Sequence, residues 1–220
     1  MNRFFALGAI LAAIIASWAC ASEGPRGVVI LCAGDSLTAE GYPRMLGRAL
    51  REEGVRARVL NEGRSGNTTG EYLRHLRGGA ADRLKAEAPD LILLQLGTND
   101  VRFDGDRTAL PDFVDNLREI VRIFGAFRNR SGRPSVLVLA TVPPVPESAP
   151  FPFTPASARR VVEEINPAIR ALAAEAGLPV VDNHGLFAGT PELLPGVHPS
   201  AEGYRRLALN WLQAVRPYLD

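Results

Sequence analysis

The residues of this chain that could do chemistry stand just after its apolar runs. The pentapeptide GDSLT at residues 34–38 follows directly on the apolar run at residues 28–32. A buried strand that delivers a serine onto a tight turn is one way to expose a nucleophile. The hydroxyl of Ser36 is a poor nucleophile until a base removes its proton, so the rest of the chain must supply partners.

Three later segments contain residues of the types that acyl transfer needs. His198 could act as the base, because it is the one of the three histidines that stands between the loop after the last predicted strand and the start of the closing helix. The tetrahedral intermediate of acyl transfer needs hydrogen-bond donors aimed at its oxyanion. The backbone N–H groups of Ser36 and Gly66 and the side-chain amide of Asn99 could supply three such donors, and glycine permits close backbone approach.

Each of these residues also has a purely structural interpretation. Ser36 could be a helix N-cap, and Gly66 could be a simple turn glycine. Asn99 could support a loop backbone, and His198 could be a packing residue. The placement of all four along the predicted elements favours the chemical interpretation.

Strand patterns alternate with helical patterns along the chain. Strands are predicted at residues 28–32, 55–60, 91–96, 135–141 and 178–182, and helices at residues 42–53, 69–88, 111–127, 156–176 and 200–215. This alternation predicts a parallel sheet covered by helices on both faces, with ligands bound at the carboxyl ends of its strands. The four candidate residues each follow a predicted strand, so they are expected at one edge of the sheet.

Glycine and proline mark the interruptions of this pattern. The pair Gly78-Gly79 is expected to bend the helix at residues 69–88, and Pro167 the helix at residues 156–176. Residues 143–155 contain six prolines and cannot form a regular element. This loop could form a wall of the substrate cleft through Phe151 and Phe153, or it could be a stiff surface loop.

The N-terminus has the pattern of an export signal. Residues 1–21 carry one charge, Arg3, followed by an apolar stretch and a small-x-small pattern before Ser22. The stretch is shorter than the roughly 20 apolar residues that a spanning helix needs. The protein is therefore expected to be secreted or periplasmic. A second route is open, in which Cys20 becomes the lipidated first residue of a membrane-anchored lipoprotein.

The remaining residues, 26–220, suit one domain with one sizeable core. The chain has 220 residues, and removal of residues 1–21 leaves 24 basic and 24 acidic side chains, with no basic stripe that would indicate a nucleic-acid partner. Cys32 would then be the only cysteine, which excludes a disulfide framework. Its position inside the first strand predicts a buried apolar residue, and not a reactive thiol.

Over residues 28–215 the chain resembles the GDSL esterases, also called SGNH hydrolases, because four sequence motifs of that family occur here in the family's order. Its GDSL block is at residues 34–37, its second block centres on Gly66, its third is GTND at residues 97–100, and its last ends in His198. The family's serine, glycine, asparagine and histidine correspond to Ser36, Gly66, Asn99 and His198. The resemblance implies a three-layer α/β/α, flavodoxin-like sheet of five parallel strands in the order 2-1-3-4-5. It also implies hydrolysis of esters or thioesters with no metal and no cofactor.

One position departs from the family pattern. The family usually places an aspartate three residues before its histidine, and Pro195 occupies that position here. A backbone carbonyl could orient His198 in a serine–histidine dyad, or another acid, Glu192 or Asp182, could fill the role. In a third alternative, the protein is weakly active or only binds its ligand.

These residues predict an exported serine esterase acting on small-molecule, glycan or lipid esters. The small domain leaves little material for a large acyl-chain tunnel, so short-acyl or O-acetyl carbohydrate esters are favoured over lysophospholipid or other lipid esters. Two alternatives stay open: a glycan- or lipid-binding module of the same fold, and an acyltransferase. Association with a membrane is expected only if Cys20 is lipidated.

Overall fold

A computed structural model describes residues 27–104, 107–146 and 148–219 of the chain. The predictions made for residues 1–21 and for Cys20 lie outside these described residues. Within the described ranges, no helix combines the length and the apolar content needed to cross a bilayer.

Strands of the described chain form one parallel sheet in the order β2-β1-β3-β4-β5. They are β1 (Val28–Gly34), β2 (Ala57–Gly63), β3 (Leu91–Gln95), β4 (Val136–Ala140) and β5 (Val180–Val181). The predicted five-stranded parallel sheet and its strand order are confirmed. The last strand is shorter than predicted, because the Asp182 side chain accepts a hydrogen bond from the N–H of Gly185 and begins a helix.

Helices cover both faces of the sheet. They are α1 (Ser36–Ala39), α2 (Tyr42–Glu52), α3 (Thr69–His75), α4 (Ala81–Ala86), α5 (Leu110–Gly125), α6 (Pro155–Arg160), α7 (Asn166–Ala176), α8 (Asn183–Phe187) and α9 (Ala201–Val215). The sequence patterns did not predict the two short helices α1 and α8, because each has fewer residues than a periodic pattern needs.

A kink and a short π-helix interrupt the longer helical stretches. The first, Leu76–Ala80, joins α3 to α4 and contains Gly79 at a φ of 104°, a conformation that glycine adopts without steric cost. The second, Val161–Ile165, joins α6 to α7 just before Pro167. Proline lacks an N–H and its ring crowds the carbonyl four residues earlier, so the regular α-helical hydrogen bonds are interrupted there. The predicted interruption at Gly78-Gly79 is confirmed. At Pro167 the sequence predicts a bend or a break, and the structure shows a change from π-helix to α-helix at Asn166.

Successive residues of the central strands enter two separate cores, because side chains alternate across a sheet. Leu31 of β1 and Ile92 of β3 pack with α3, α5 and α7 on one face. Ile30 and Leu93 pack with α2 and α9 on the other face, where Tyr42 stacks on Trp211. Three layers follow from this alternation. Cys32 also lies in the second core, and burial raises the pKa of its thiol to about 12, as expected for an inert packing residue.

The carboxyl ends of three neighbouring strands, β2, β1 and β3, lie at one level. Gly34 of β1 is in register with Gly63 of β2 and with Gln95 of β3. Side chains at the two glycine positions would collide with the turn that follows β1: a Cβ on Gly34 would lie 2.3 Å from Thr38 Oγ1, and one on Gly63 would lie 2.1 Å from Ala39 N. The absence of side chains at these two glycines therefore allows the turn at Ser36 to pack directly against the ends of β1 and β2.

Candidate active site

Ser36 begins the four-residue helix α1, two residues after β1 ends. Asp35 caps this helix, with its Oδ1 accepting a hydrogen bond from the N–H of Leu37 at 3.0 Å. The turn is closed further by the N–H of Ala39, which donates to the carbonyl of Asp35. Ser36 is only 7% exposed, at the start of this turn on the carboxyl end of β1.

The loop between α8 and α9, which comes after the last strand, brings His198 to Ser36. His198 lies in the loop before α9, whose N-cap Ser200 accepts a hydrogen bond from the N–H of Gly203 at 3.2 Å. The Nε2 atom of His198 lies 2.9 Å from the Oγ atom of Ser36. This distance is within the range that a general base needs to remove a proton.

Asn99 and the loop that contains Gly66 meet at the same edge. The side-chain amide of Asn99 donates a hydrogen bond to the carbonyl of Asn67 at 3.0 Å. An amide carries two N–H donors, so one stays available for an oxyanion. Gly66 has a φ of 80°, a conformation that favours glycine. The structure thus brings the Gly66 loop next to Asn99, as it brings His198 to Ser36.

Asp35 is a fully buried carboxyl group directly before Ser36. Burial raises its pKa from an ordinary value of 3.8 to about 7, although the hydrogen bond from the Leu37 N–H acts in the opposite direction. The nearby Asp100 carboxylate raises this pKa further. Asp35 therefore contributes to the turn as a cap whose charge depends on pH.

At Nδ1 of His198, no described residue takes the place of the usual third member of a serine triad. Pro195 lies in the position of the expected aspartate, and no described residue makes a hydrogen bond to Nδ1. Asp182 accepts hydrogen bonds from Thr141 and Gly185 and pairs with Arg170. Among the described residues, neither Asp182 nor Glu192 forms a hydrogen bond or an ion pair with His198.

A carboxylate that sequence reasoning missed lies on the other side of the imidazole. Glu40 Oε1 is 3.7 Å from Nε2 of His198, and Glu40 Oε2 accepts a hydrogen bond from the hydroxyl of Tyr204 at 3.3 Å. Glu40 follows Ser36 by one helical turn, and its N–H donates to the carbonyl of Ser36. That spacing of four residues is the signal in the sequence that could have placed Glu40 beside Ser36.

The proline-rich loop at residues 143–155 has mixed exposure. Phe153 is buried in the core, whereas Phe151 is 75% exposed. The first part of the loop lines an apolar cavity of about 380 Å³ at the carboxyl edge of the sheet, together with residues that include Phe187 and Leu194. His184 lines the same cavity, and burial lowers the pKa of its imidazole.

Within residues 27–104, 107–146 and 148–219, no group of three or more histidine, cysteine, aspartate or glutamate side chains is arranged to hold a metal ion.

Several solved structures share this fold. A lipase/acylhydrolase from Enterococcus faecalis superposes with a TM-score of 0.73 at 24% identity, covering 88% of this chain and 97% of its own. A carbohydrate acetylesterase family member from Sinorhizobium meliloti gives a TM-score of 0.70 at 25% identity, with coverages of 87% and 99%. These likenesses agree with the three-layer architecture described above.

Two characterised relatives match parts of the sequence. An arylesterase from Vibrio mimicus is 33% identical over 132 residues, which is 56% of this chain and 59% of the relative. A multidomain esterase from Ruminococcus flavefaciens is 29% identical over 153 residues, which is 67% of this chain and 18% of the relative. The chain thus spans less than two thirds of the length of either relative.

The family model of the GDSL-like lipases and acylhydrolases matches residues 32–206, which run from the end of the first strand into the closing helix. This match contains Ser36, Gly66, Asn99 and His198, the four residues singled out by their positions at strand ends. Together with the sheet order and the esterase relatives, it shows that the chain belongs to the GDSL-like lipase/acylhydrolase family of carboxylic ester hydrolases.

Proposed function

We propose that this protein is an exported serine esterase that hydrolyses carboxylic esters through Ser36 and His198. The observation that carries the proposal is the 2.9 Å separation of Ser36 Oγ from His198 Nε2. The two residues stand 162 positions apart in the chain, and a nucleophile–base pair within hydrogen-bond reach is the arrangement that acyl transfer requires.

The proposed reaction proceeds in two halves. In the first, His198 Nε2 takes the proton of the Ser36 hydroxyl as Oγ bonds to the ester carbonyl carbon. The oxyanion is held by the N–H groups of Ser36 and Gly66 and by the free amide N–H of Asn99. His198 then protonates the leaving alcohol as the C–O bond breaks. In the second half, His198 takes a proton from a water molecule as the water oxygen bonds to the acyl carbon, and returns a proton to Ser36 Oγ as the acyl–Oγ bond breaks and the acid leaves.

For the substrate we favour short-acyl esters and O-acetyl carbohydrate esters over lysophospholipid or other lipid esters. A similar structure from Sinorhizobium meliloti is a carbohydrate acetylesterase family member at 25% identity, which supports this class. His198 has a side chain that is 45% exposed, so a bulky leaving group can reach Nε2 from solvent. An apolar cavity at the same edge, beside Leu194, leaves room for longer acyl groups as the competing class.

Hydrolysis of 4-nitrophenyl acetate, butyrate and octanoate by the purified protein tests the proposal. Ser36→Ala and His198→Ala should each abolish turnover above background, and acetate should be hydrolysed faster than octanoate. Equal rates in the wild type and Ser36→Ala would overturn the esterase proposal and leave a binding module of the same fold. Faster transfer to an added sugar hydroxyl than to water would instead indicate an acyltransferase.

Export is tested separately, by the mass of the protein recovered from an expressing bacterium. Cleavage after Ala21 predicts a chain that begins at Ser22. A chain that begins at a lipid-modified Cys20 would support the lipoprotein route, and Cys20→Ala should then block its membrane attachment. Recovery of the uncleaved chain in the cytoplasm would contradict both routes.

A further inference from the structure

Glu40 stands close to the atom that must carry charge during the proposed reaction. Its Oε1 lies 3.7 Å from His198 Nε2, the same nitrogen that faces Ser36 Oγ at 2.9 Å. A distance of 3.7 Å is beyond the range of a hydrogen bond. The hydrogen bond of Nε2 is therefore made to Ser36, and Glu40 acts on the imidazole through its charge.

Tyr204 holds this carboxylate in place. Its hydroxyl donates to Glu40 Oε2 at 3.3 Å, and the Tyr204 side chain is itself mostly buried against the second core. The Tyr204 ring also packs beside Gly41, the residue that follows Glu40. A Cβ on Gly41 would lie 3.6 Å from a ring carbon. Burial and then the Glu40 carboxylate raise the pKa of Tyr204, so it stays a neutral phenol that donates.

The reaction needs a negative charge near His198, because the imidazole becomes a cation once it takes the serine proton. In a complete triad a carboxylate on Nδ1 stabilises that cation. Here Pro195 replaces the expected aspartate, and no described residue makes a hydrogen bond to Nδ1. Glu40 is the carboxylate that the structure places beside the ring instead.

We propose that Glu40 is a positioning residue that stabilises the His198 imidazolium from the Nε2 side, in place of a carboxylate on Nδ1. This inference rests on the proposed esterase function. The proton moves from Ser36 Oγ to Nε2 as the Oγ–C bond forms, and then from Nε2 to the leaving oxygen as the C–O bond breaks. Glu40 neither gives nor takes a proton in these steps.

The size of the effect follows from exposure. The side chains of Glu40 and His198 are 44% and 45% exposed, so water and salt weaken their attraction. Two charges about 4 Å apart in a water-like medium attract by an amount equivalent to roughly a fivefold change in rate. A bound substrate that displaces water would increase this factor.

Glu40→Gln tests the inference, because glutamine keeps the shape and can still accept the hydrogen bond from Tyr204. We expect kcat for 4-nitrophenyl acetate to fall about fivefold or more, with KM unchanged, since the neutral substrate gains nothing from the charge. Glu202→Gln is the matched control: Glu202 has the same 44% side-chain exposure but pairs with Arg205 and Arg206 on α9. Its kcat should equal that of the wild type.

The salt dependence of kcat distinguishes an effect of the Glu40 charge from a purely structural effect, because salt screens the charge. At about 1 M salt the Debye length is about 3 Å, which is shorter than the 3.7 Å between Glu40 and His198. The ratio of wild-type to Glu40→Gln kcat should therefore shrink toward one as NaCl is raised. Tyr204→Phe should give a smaller loss in the same direction, because it frees the carboxylate without removing it.

The outcomes separate this inference from the proposed function. An unchanged or raised kcat in Glu40→Gln, with the wild type active and Ser36→Ala inactive, overturns the role of Glu40 alone. A loss that does not respond to salt also overturns it, since that loss would be structural. If the wild type does not turn over the ester, the rate at which a fluorophosphonate labels Ser36 is compared in the wild type and Glu40→Gln. Equal labelling rates, or no labelling of Ser36, overturn the inference.

Discussion

Asp100 and Thr69 join two of the loops that build the site. Both oxygens of the buried Asp100 carboxylate lie within hydrogen-bond distance of the Thr69 N–H, at 3.0 and 3.1 Å, and Oδ1 also accepts from the Thr69 hydroxyl at 2.6 Å. Thr69 begins α3 directly after the loop of Gly66, and Asp100 directly follows Asn99. The pair therefore fixes the spacing of two of the three proposed oxyanion donors.

Asp100→Ala should lower both stability and activity. The change leaves the buried N–H and hydroxyl of Thr69 without an acceptor, which costs about 2–4 kcal/mol of unfolding free energy. Asn99, a proposed oxyanion donor, directly precedes Asp100 in the chain. Its displacement should lower kcat for 4-nitrophenyl acetate as well. Thr69→Val removes only the hydroxyl and should cost about 1 kcal/mol. Urea denaturation of both variants measures these differences, and a smaller cost for Asp100→Ala than for Thr69→Val would contradict this account.

The positions of Ser36 and His198 could be predicted because strand ends can be read along the chain. Once β1 and β5 were placed, the rule that parallel strands end at one edge brought both residues to that edge. Contacts between loops could not be predicted in this way. Glu40 meets Tyr204 across 164 residues, and that contact depends on how α9 lies against the turn after Ser36. A periodic pattern shows the buried face of α9 but not which loop faces it.

The positions of the proposed oxyanion donors are predictable to different degrees. Gly66 and Asn99 follow β2 and β3, so their edge was predicted correctly, but the hydrogen bond from Asn99 to the Asn67 carbonyl required the loop conformations. The buried pair in which Asn183 donates to Gln95 Oε1 at 2.5 Å was also missed. Gln95 lies within an apolar strand pattern, and Asn183 lies within a helix too short to predict. The sequence therefore gives no sign that these two side chains form a hydrogen bond.

Asn99→Ala should reduce catalysis far more than stability. Loss of one oxyanion donor typically lowers kcat by about 10²–10³. Asn166→Ala is the matched control, because Asn166 is equally buried at 7% and its amide binds the backbone of Val142 through both its oxygen and its nitrogen. This control should lower the unfolding free energy by about 1–3 kcal/mol with little change in kcat. Similar kcat losses in both variants would contradict a specific role for Asn99.

Asp35→Asn should remove a pH dependence of stability. The pKa of Asp35 is about 7 in the folded protein against an ordinary 3.8, so the folded state holds the proton more tightly than the unfolded state. The stability that this group contributes is fully present below pH 3.8 and is lost as the pH rises to about 7. Asparagine keeps the cap on α1, since the two residues are similar N-caps.

The difference in unfolding free energy between Asp35→Asn and the wild type isolates this group from other titrating carboxyls, including Asp100. We expect the difference to grow in favour of the variant from about pH 4 to pH 7 and then to level off. Urea denaturation across this range measures it. A difference that is constant with pH would show that Asp35 titrates alike in the folded and unfolded states.

Gly63→Ala should disturb the site through backbone contact alone. A Cβ at this position would lie 2.1 Å from Ala39 N, so either β2 or the turn that carries Ser36 must move. Overpacking of this kind costs about 1–3 kcal/mol, and displacement of α1 should lower kcat. Gly78→Ala is the control, because a Cβ there meets nothing within 4 Å, and alanine should stabilise this helical position by up to about 1 kcal/mol. If Gly63→Ala kept wild-type kcat and stability, the close approach of α1 to the end of β2 would not be what positions Ser36.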